Sequence, residues 1–423
     1  MKTIIIAREL LKNCYILLKS DEMDNIKTDV NELLNYIYIQ GIKPYIIEEK
    51  NDAFIQDPVF DIKRNRIIAE ILEAIVRLDL EKNEQIIKKL FHYLEKTQNK
   101  KGYWNEIHPN YDQPSALITS IIGVTLLMNY NRFQDETTKK VITLASRYVI
   151  SQQKSPGYFV KSVCYTSDYL NVDATCGAFL ALYGETFSDE ECIKLARQAA
   201  EHVCNYQFFN GSFPYTVNEE KESSHLNIPC IHYQGVTIYY LSKINEVIKE
   251  KWLKEHIIRA VEWLVRVQRD DGRFDWSKSG LMFAYYLTGS YAFAFSSFLY
   301  ASKWDKKYLK NAKLCMKVLK RNHDNLFFRW EKDSWATIPL SVPITIKSAL
   351  IGNYTLKQKL FRFGYGLYRQ IARRRFSEQL DDKFFLKITK LLKIKVSTIE
   401  PFSNYPDLFM SSEVLDCLSC ING

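Results

Sequence analysis

Glycine and proline are scarce, 15 and 11 in a chain of 423 residues. The long Leu/Ile/Lys/Glu-rich stretches between them are the punctuation of helices, not of short strands joined by tight turns, and they point to an all-α fold. No run of 18 or more uncharged apolar residues occurs, so no segment reads as a bilayer span. The nine cysteines, at 14, 164, 176, 192, 204, 230, 315, 417 and 420, are odd in number and scattered. With no charged-then-apolar leader at the start, they suggest a reducing, cytoplasmic setting, not a disulfide scaffold. Basic residues outnumber acidic ones, for a net charge of +9. They concentrate near the end without a recognised nucleic-acid-binding module, so nucleic acid is not an expected partner.

What is present is apolar surface, 47% of residues against 25% charged, which excludes disorder. Single cores stop growing near ~250–300 residues, but repeat architectures escape that limit by adding units. Four copies of one pattern appear: Gln98-Asn-Lys-Lys-Gly102-Tyr-Trp104, Gln153-Lys-Ser-Pro-Gly157-Tyr-Phe159, Gln207-Phe-Phe-Asn-Gly211-Ser-Phe213 and Gln268-Arg-Asp-Asp-Gly272-Arg-Phe274. The glutamines are 55, 54 and 61 residues apart, room for two helices of roughly 15 residues with their connections. Each glutamine ends an amphipathic stretch such as 260–267, so it can offer its amide to orphan helix-end groups while glycine takes the left-handed turn and the aromatic fills a groove.

A second helix follows each motif, at 114–127, 173–183, 233–241 and 288–300. Segments such as 174–182 are apolar nearly all round, as a doubly covered helix must be. Alternating amphipathic and buried helices describe two concentric rings, an α/α toroid whose inner helices face a central funnel. Residues 1–60 are expected to form an N-terminal helical segment, 61–345 the toroid repeats, and 346–423 a basic helical segment that closes the ring. Five or six hairpins are expected, four of them carrying the motif. The 27 tyrosines and 24 phenylalanines suit an apolar yet shaped cavity.

The Gln-x-x-x-Gly-x-Trp pattern resembles the QW repeat of squalene cyclases and related terpenoid cyclases, whose toroid is shared with protein prenyltransferase β-subunits. The resemblance covers residues 60–300, with Phe for Trp in three copies. It implies an enzyme acting in the funnel on an isoprenoid or lipid-linked substrate. It also sets Asn171-Val172-Asp173-Ala174-Thr175 against the Asp-x-Asp-Asp-Thr acid motif, with Asp173 as proton donor or polar anchor and both flanking carboxylates replaced. From its position alone Asp173 also reads as an N-cap for the helix that begins at Ala174. No cofactor is expected, with Zn or Mg left open. A zinc reading of His225, Cys230 and His232 is weak, because the Asp-x-Cys pair of the transferases is missing.

The residues also support a carbohydrate-active toroid of cell-surface polysaccharide metabolism, an epimerase, hydrolase or lyase. His225 and His232, the acid–base partners of Asp173 in the isoprenoid reading, lie in a loop whose polar, proton-transferring and aromatic groups also suit a sugar, and Ile231-His232-Tyr233-Gln234-Gly235 resembles the His-Tyr-x-Gly helix starts of epimerase-like toroids. Candidate substrate contacts are Trp104, Tyr111, Asp112, Tyr165, Asp168, Tyr233, Tyr285 and Tyr286. A non-catalytic scaffold is the third alternative. The basic segment 361–375, with Lys387, Lys390, Lys393 and Lys395, reads as a solvated helix face or as peripheral contact with an anionic inner membrane surface. Cys417-Leu-Ser-Cys420 lacks a second pair and reads as incidental.

Overall fold

The computed structural model describes residues 23–57, 62–78, 81–108, 111–217, 229–275, 288–321 and 408–422, with isolated positions 278, 356, 360 and 391. Among these residues the helices are α1 (residues 23–36), α2 (Asn65–Leu78), α3 (Glu84–Lys96), α4 (Ala116–Phe133), α5 (Glu136–Ser151), α6 (Leu170–Phe187), α7 (Glu190–Asn205), α8 (Ile231–Ile248), α9 (Lys251–Val267), α10 (Thr288–Ser302), α11 (Tyr308–Arg321) and α12 (Leu408–Ser419).

The even-numbered helices pack side by side in the order α2, α4, α6, α8, α10, α12, and α12 packs back on α2. They are an inner ring, closed by the C-terminal helix. The inner members are buried nearly all round, as α6 and α12 show. The odd-numbered helices α3, α5, α7, α9 and α11 each pack on the inner helix before them, and bury one face, as in α7 (Leu195, Ala196, Ala199, Val203). This is the alternation the sequence predicts, and it makes the chain an α/α toroid.

The two ends of the ring differ. From inner to outer helix the chain turns in two residues, 134–135, 188–189 and 249–250. Gln134, Ser188 and Lys249 take the left-handed conformation at φ 51°, 56° and 53°, and the next residue begins the outer helix. Asp135 and Asp189 cap it by accepting from Thr137 N and Cys192 N. From outer to inner helix the connections are long, 97–115, 152–169, 206–230 and 268–287. The inner-helix N-termini therefore stand at the long-loop end, where rigid elements can carry functional loops.

The all-helical expectation fails locally. In and just after the N-terminal segment expected to be helical, β1 (Ile46–Glu48), β2 (Ala53–Asp57) and β3 (Ile62–Lys63) form an antiparallel sheet, with Ile47 opposite Phe54. Short apolar runs on both sides of Asn51-Asp52 suit a hairpin better than a helix. Two more hairpins lie in the long loops, β4 (Asn105–His108) with β5 (Tyr111–Pro114) and β6 (Gln153–Ser155) with β7 (Tyr158–Phe159).

Candidate functional site

The motif glutamines reach forward to the next outer helix. Nε2 of Gln98 donates to Gly102 O and Val141 O (3.1 and 2.8 Å), that of Gln207 to Gly211 O and His256 O (3.1 and 3.0 Å), and that of Gln268 to Gly272 O and Asn311 O (both 3.3 Å). The four glycines have φ between +80° and +93°. A Cβ on them would strike the backbone carbonyls of Leu144, Gln198, Arg259 and Leu314, again on the following outer helix. The motif fastens neighbouring hairpins. Gln153 is the exception, its Nε2 buried without an acceptor.

The motif aromatics Trp104, Phe159, Phe213 and Phe274 are fully buried. Their backbone N–H groups donate to Thr119 Oγ1 (3.1 Å), Asp173 Oδ1 (2.7 Å), Gln234 Oε1 (2.7 Å) and Tyr291 OH (3.3 Å). Each acceptor is the fourth residue of its inner helix. Trp104, expected at a substrate-binding rim, instead donates Nε1 to Leu94 O at 2.8 Å inside the wall.

Asp173 accordingly holds the repeat together. It is not the N-cap, which is Tyr169, because the helix starts one turn earlier than the sequence pattern suggests. It also faces away from the axis. Gly177, one turn on, packs against Ala199 of α7, and His202 of α7 lies 3.9 Å from Asp173 Oδ2 and 3.0 Å from Asp168 Oδ2. Burial and the adjacent Asp168 hold the Asp173 carboxyl well above the usual range. Asp168, expected to touch substrate, is likewise fully buried between the rings. Asp168, Asp173 and His202 are the group that could hold a metal ion among the described residues, their ligand atoms lying within 4.8 Å of one another. Cys230 and His232 do not form such a group, and His225 lies outside the described residues.

Ionisable side chains meet instead on the axis. α2 carries Arg66, Glu70, Glu73 and Arg77 on one stripe, spaced by four, three and four. Arg66 bridges Glu70 (2.7 Å) and Glu413 of α12 (2.6 Å), and Ser412 Oγ donates to Glu70 (2.5 Å). Near the long-loop end His232 Nε2 lies 4.0 Å from Glu413 Oε2, with Ser290 Oγ 3.3 Å from Nδ1. Burial, then Arg66, depresses the His232 pKa to about 3, so the imidazole is neutral. Gly289 packs closely here, since a Cβ on it would lie 2.6 Å from Glu413 Oε2, 2.8 Å from Met410 Sδ and 3.5 Å from His232 Cε1. Beside His232, Tyr233 stacks on Tyr215 at 4.4 Å and Tyr215 meets Tyr169 edge-on at 5.1 Å.

Deeper in the ring Glu73 pairs with Arg77 and, across the ring, with Lys243 of α8 at 3.1 Å. That pair crosses the axis. Burial raises the Glu73 pKa, but Lys243 and Arg77 outweigh it and hold the carboxyl near 2. Asp416 of α12 accepts from Tyr239 OH at 3.2 Å, and burial, reinforced by Glu73, pushes its pKa up to about 8. The sequence reading reached His232 and Tyr233 and missed the rest of this column. The signal was present in the 66, 70, 73, 77 spacing, a charged stripe on a helix that is otherwise apolar.

Of the other expected contacts, Asp112 is exposed and accepts from Asn105 Nδ2 at 2.7 Å, and Tyr165 is half-buried under Lys161, 4.6 Å from its ring. Tyr111 pairs with His108 at the backbone of the β4–β5 hairpin. Tyr285 and Tyr286 lie outside the described residues, as does the basic segment 361–375. No helix among the described residues is long and apolar enough to cross a membrane.

No family model matches the chain, and no curated protein matches it by sequence. Its fold does match solved structures. Cellobiose 2-epimerase from Bacillus thermoamylovorans is 12% identical with a TM-score of 0.57, over 70% of this chain and 88% of that one. An α-1,6-mannanase from Salegentibacter sp. HEL1_6 is 12% identical at 0.52, over 70% and 86%. Unsaturated glucuronyl hydrolase from Bacillus sp. GL1 is 12% identical at 0.50, over 73% and 86%.

Proposed function

We propose that the chain is a carbohydrate-active enzyme that works by proton transfer at the long-loop end of the toroid, with His232 as the acid–base group and Glu413, ordered by Arg66, as its partner. The observation that carries this reading is the buried His232–Glu413 juxtaposition, 4.0 Å apart on two different inner helices, with Gly289 packed against both. A purely structural core would hold apolar side chains there, because burying ionisable groups costs several kcal/mol. The imidazole is unprotonated, the form a base requires, and because burial and Arg66 oppose its protonation it relies on Glu413, 4.0 Å away, to stabilise the imidazolium; the Tyr215–Tyr233 stack offers the flat surface on which a sugar face packs.

Epimerisation fits these residues best, since removing and returning a proton beside a carbonyl asks for an imidazole and a polar partner. The epimerase, mannanase and hydrolase with the same fold all act on sugars by name, which supports the substrate class. The isoprenoid reading is weaker on two counts. A carbocation needs an apolar aromatic wall, whereas Arg66, Glu70, Glu73, Arg77 and Lys243 line this axis. The acid matched to the cyclase proton donor, Asp173, is turned to the outer ring.

The test is incubation with a panel of reducing mono- and disaccharides and uronates in D2O, read by NMR. Deuterium entering a sugar carbon shows epimerisation, and new reducing ends show hydrolysis. His232→Asn should abolish either. Turnover of prenyl diphosphates with inertness toward every sugar would overturn the assignment.

A further inference from the structure

The Glu73–Lys243 pair closes the axis partway, and beyond it, at the short-loop end, lies a cavity of about 440 Å³. Its wall includes Arg77, Tyr239, Lys243, Ser296, Tyr300 and Cys420, drawn from α2, α8, α10 and the C-terminal turn. None of these belongs to the His232 mouth. We propose that this cavity is a second ligand site, for a polyol of monosaccharide size that carries one carboxylate or phosphate group.

Size is the first argument, since the volume lies within the range of small-molecule sites, roughly 300–1,000 Å³. Charge is the second. The lining holds Lys27, Arg77, Lys243 and Lys303 against a single lining carboxylate, Glu246, which pairs with Lys303 at 3.1 Å. Behind the wall Arg77 and Lys243 share one carboxylate, Glu73, so the two cations are fixed in place yet exceed their partner by one charge. Asp416, beside them, adds no full negative charge near neutrality, because burial and Glu73 keep it protonated.

Of the lining cations Arg77 stands in the last turn of its helix, where it also offsets the helix dipole. That role requires neither a pocket nor hydroxyls. Here Ser242, Ser296, Ser302, Tyr239 and Tyr300 surround the space, a set suited to a polyol, while Arg77 and Lys243 suit its anionic group.

The test is calorimetric titration of the full chain with D-glucuronate, glucose 6-phosphate, D-glucose and inorganic phosphate. One or both anionic sugars should bind, with glucose and phosphate about ten-fold weaker or more, the scale of one charge-assisted hydrogen bond. Which of the two binds separates carboxylate from phosphate. Lys243→Met, which removes the charge, and Ser242→Phe, which fills the space, should each weaken binding about ten-fold or more. His232→Asn should leave it unchanged, which keeps this proposal distinct from the catalytic reading. If Lys243→Met does not fold, Ser242→Phe decides. Absence of binding by both anionic sugars, equal binding of glucose or of phosphate, or binding lost in His232→Asn and kept in Ser242→Phe would overturn the proposal.

Discussion

Replacing Asp416 by Asn tests the axial column where its electrostatics are sharpest. In the folded chain burial and Glu73 raise the Asp416 pKa to about 8 from an ordinary value of 3.8, so folding takes up a proton between those limits. A carboxyl with a raised folded pKa contributes stability that is complete below the unfolded pKa and is lost as pH rises through the folded one. Across pH 5 to 7 the loss is about 1.4 kcal/mol per pH unit, or about 2.7 kcal/mol in all as an upper bound. Asn cannot ionise, yet its oxygen still accepts from Tyr239 OH. Glu73, held near 2, titrates below this window, and groups remote from Asp416 cancel between the two proteins. Urea unfolding followed by tryptophan fluorescence at pH 5 and pH 7 should therefore show Asp416→Asn gaining on the wild type by up to about 2.7 kcal/mol. A stability difference that does not move with pH would refute a protonated Asp416.

Gln207→Ala removes hydrogen bonds to Gly211 O and His256 O and should cost about 1–2 kcal/mol, whereas Gln153→Ala, which removes an amide with no acceptor for Nε2, should cost less than half as much; chemical denaturation of the two variants side by side checks the ranking. Gly211→Ala combines φ +88° with a Cβ driven into Arg259 O and should destabilise by about 2 kcal/mol or more, visible as a lower melting temperature. Gly289→Ala places a methyl against Glu413 and His232 and should abolish turnover with a smaller loss of thermal stability than Gly211→Ala. Retained turnover would show that the reacting group does not enter between them.

The toroid was legible in the sequence because its parts are local. A glutamine at a helix end, a glycine that must adopt positive φ and an aromatic two residues after that glycine recur at a near-constant period, and each copy packs on its neighbours. The site was less legible because it is non-local. Arg66 and Glu413 are 347 residues apart and Lys243 and Glu73 are 170 apart, so nothing in one stretch announces the partner. Asp173 shows the opposite error. Its match to an acid motif was real as spelling, but Thr119, Gln234 and Tyr291 hold the same place in the other repeats, and what that place requires is a hydrogen-bond acceptor for the motif aromatic.

The distribution of charge around the ring carries the argument further. α10 has no charged residue and α4 only Arg132, near its C-terminus, whereas α2, α8 and α12 supply Arg66, Glu70, Glu73, Arg77, His232, Lys243, Glu413 and Asp416. The inner ring runs α2, α4, α6, α8, α10, α12, so α8 stands opposite α2 and the Glu73–Lys243 pair spans the diameter. A ring needs no such strut for closure, which apolar packing between neighbouring helices achieves at α4 and α6. The pair divides the axial column of ionisable groups, at one depth, into two parts with different chemistry. Above it stands a neutral imidazole beside a carboxylate and stacked tyrosines. Below it, cations and hydroxyls surround a cavity.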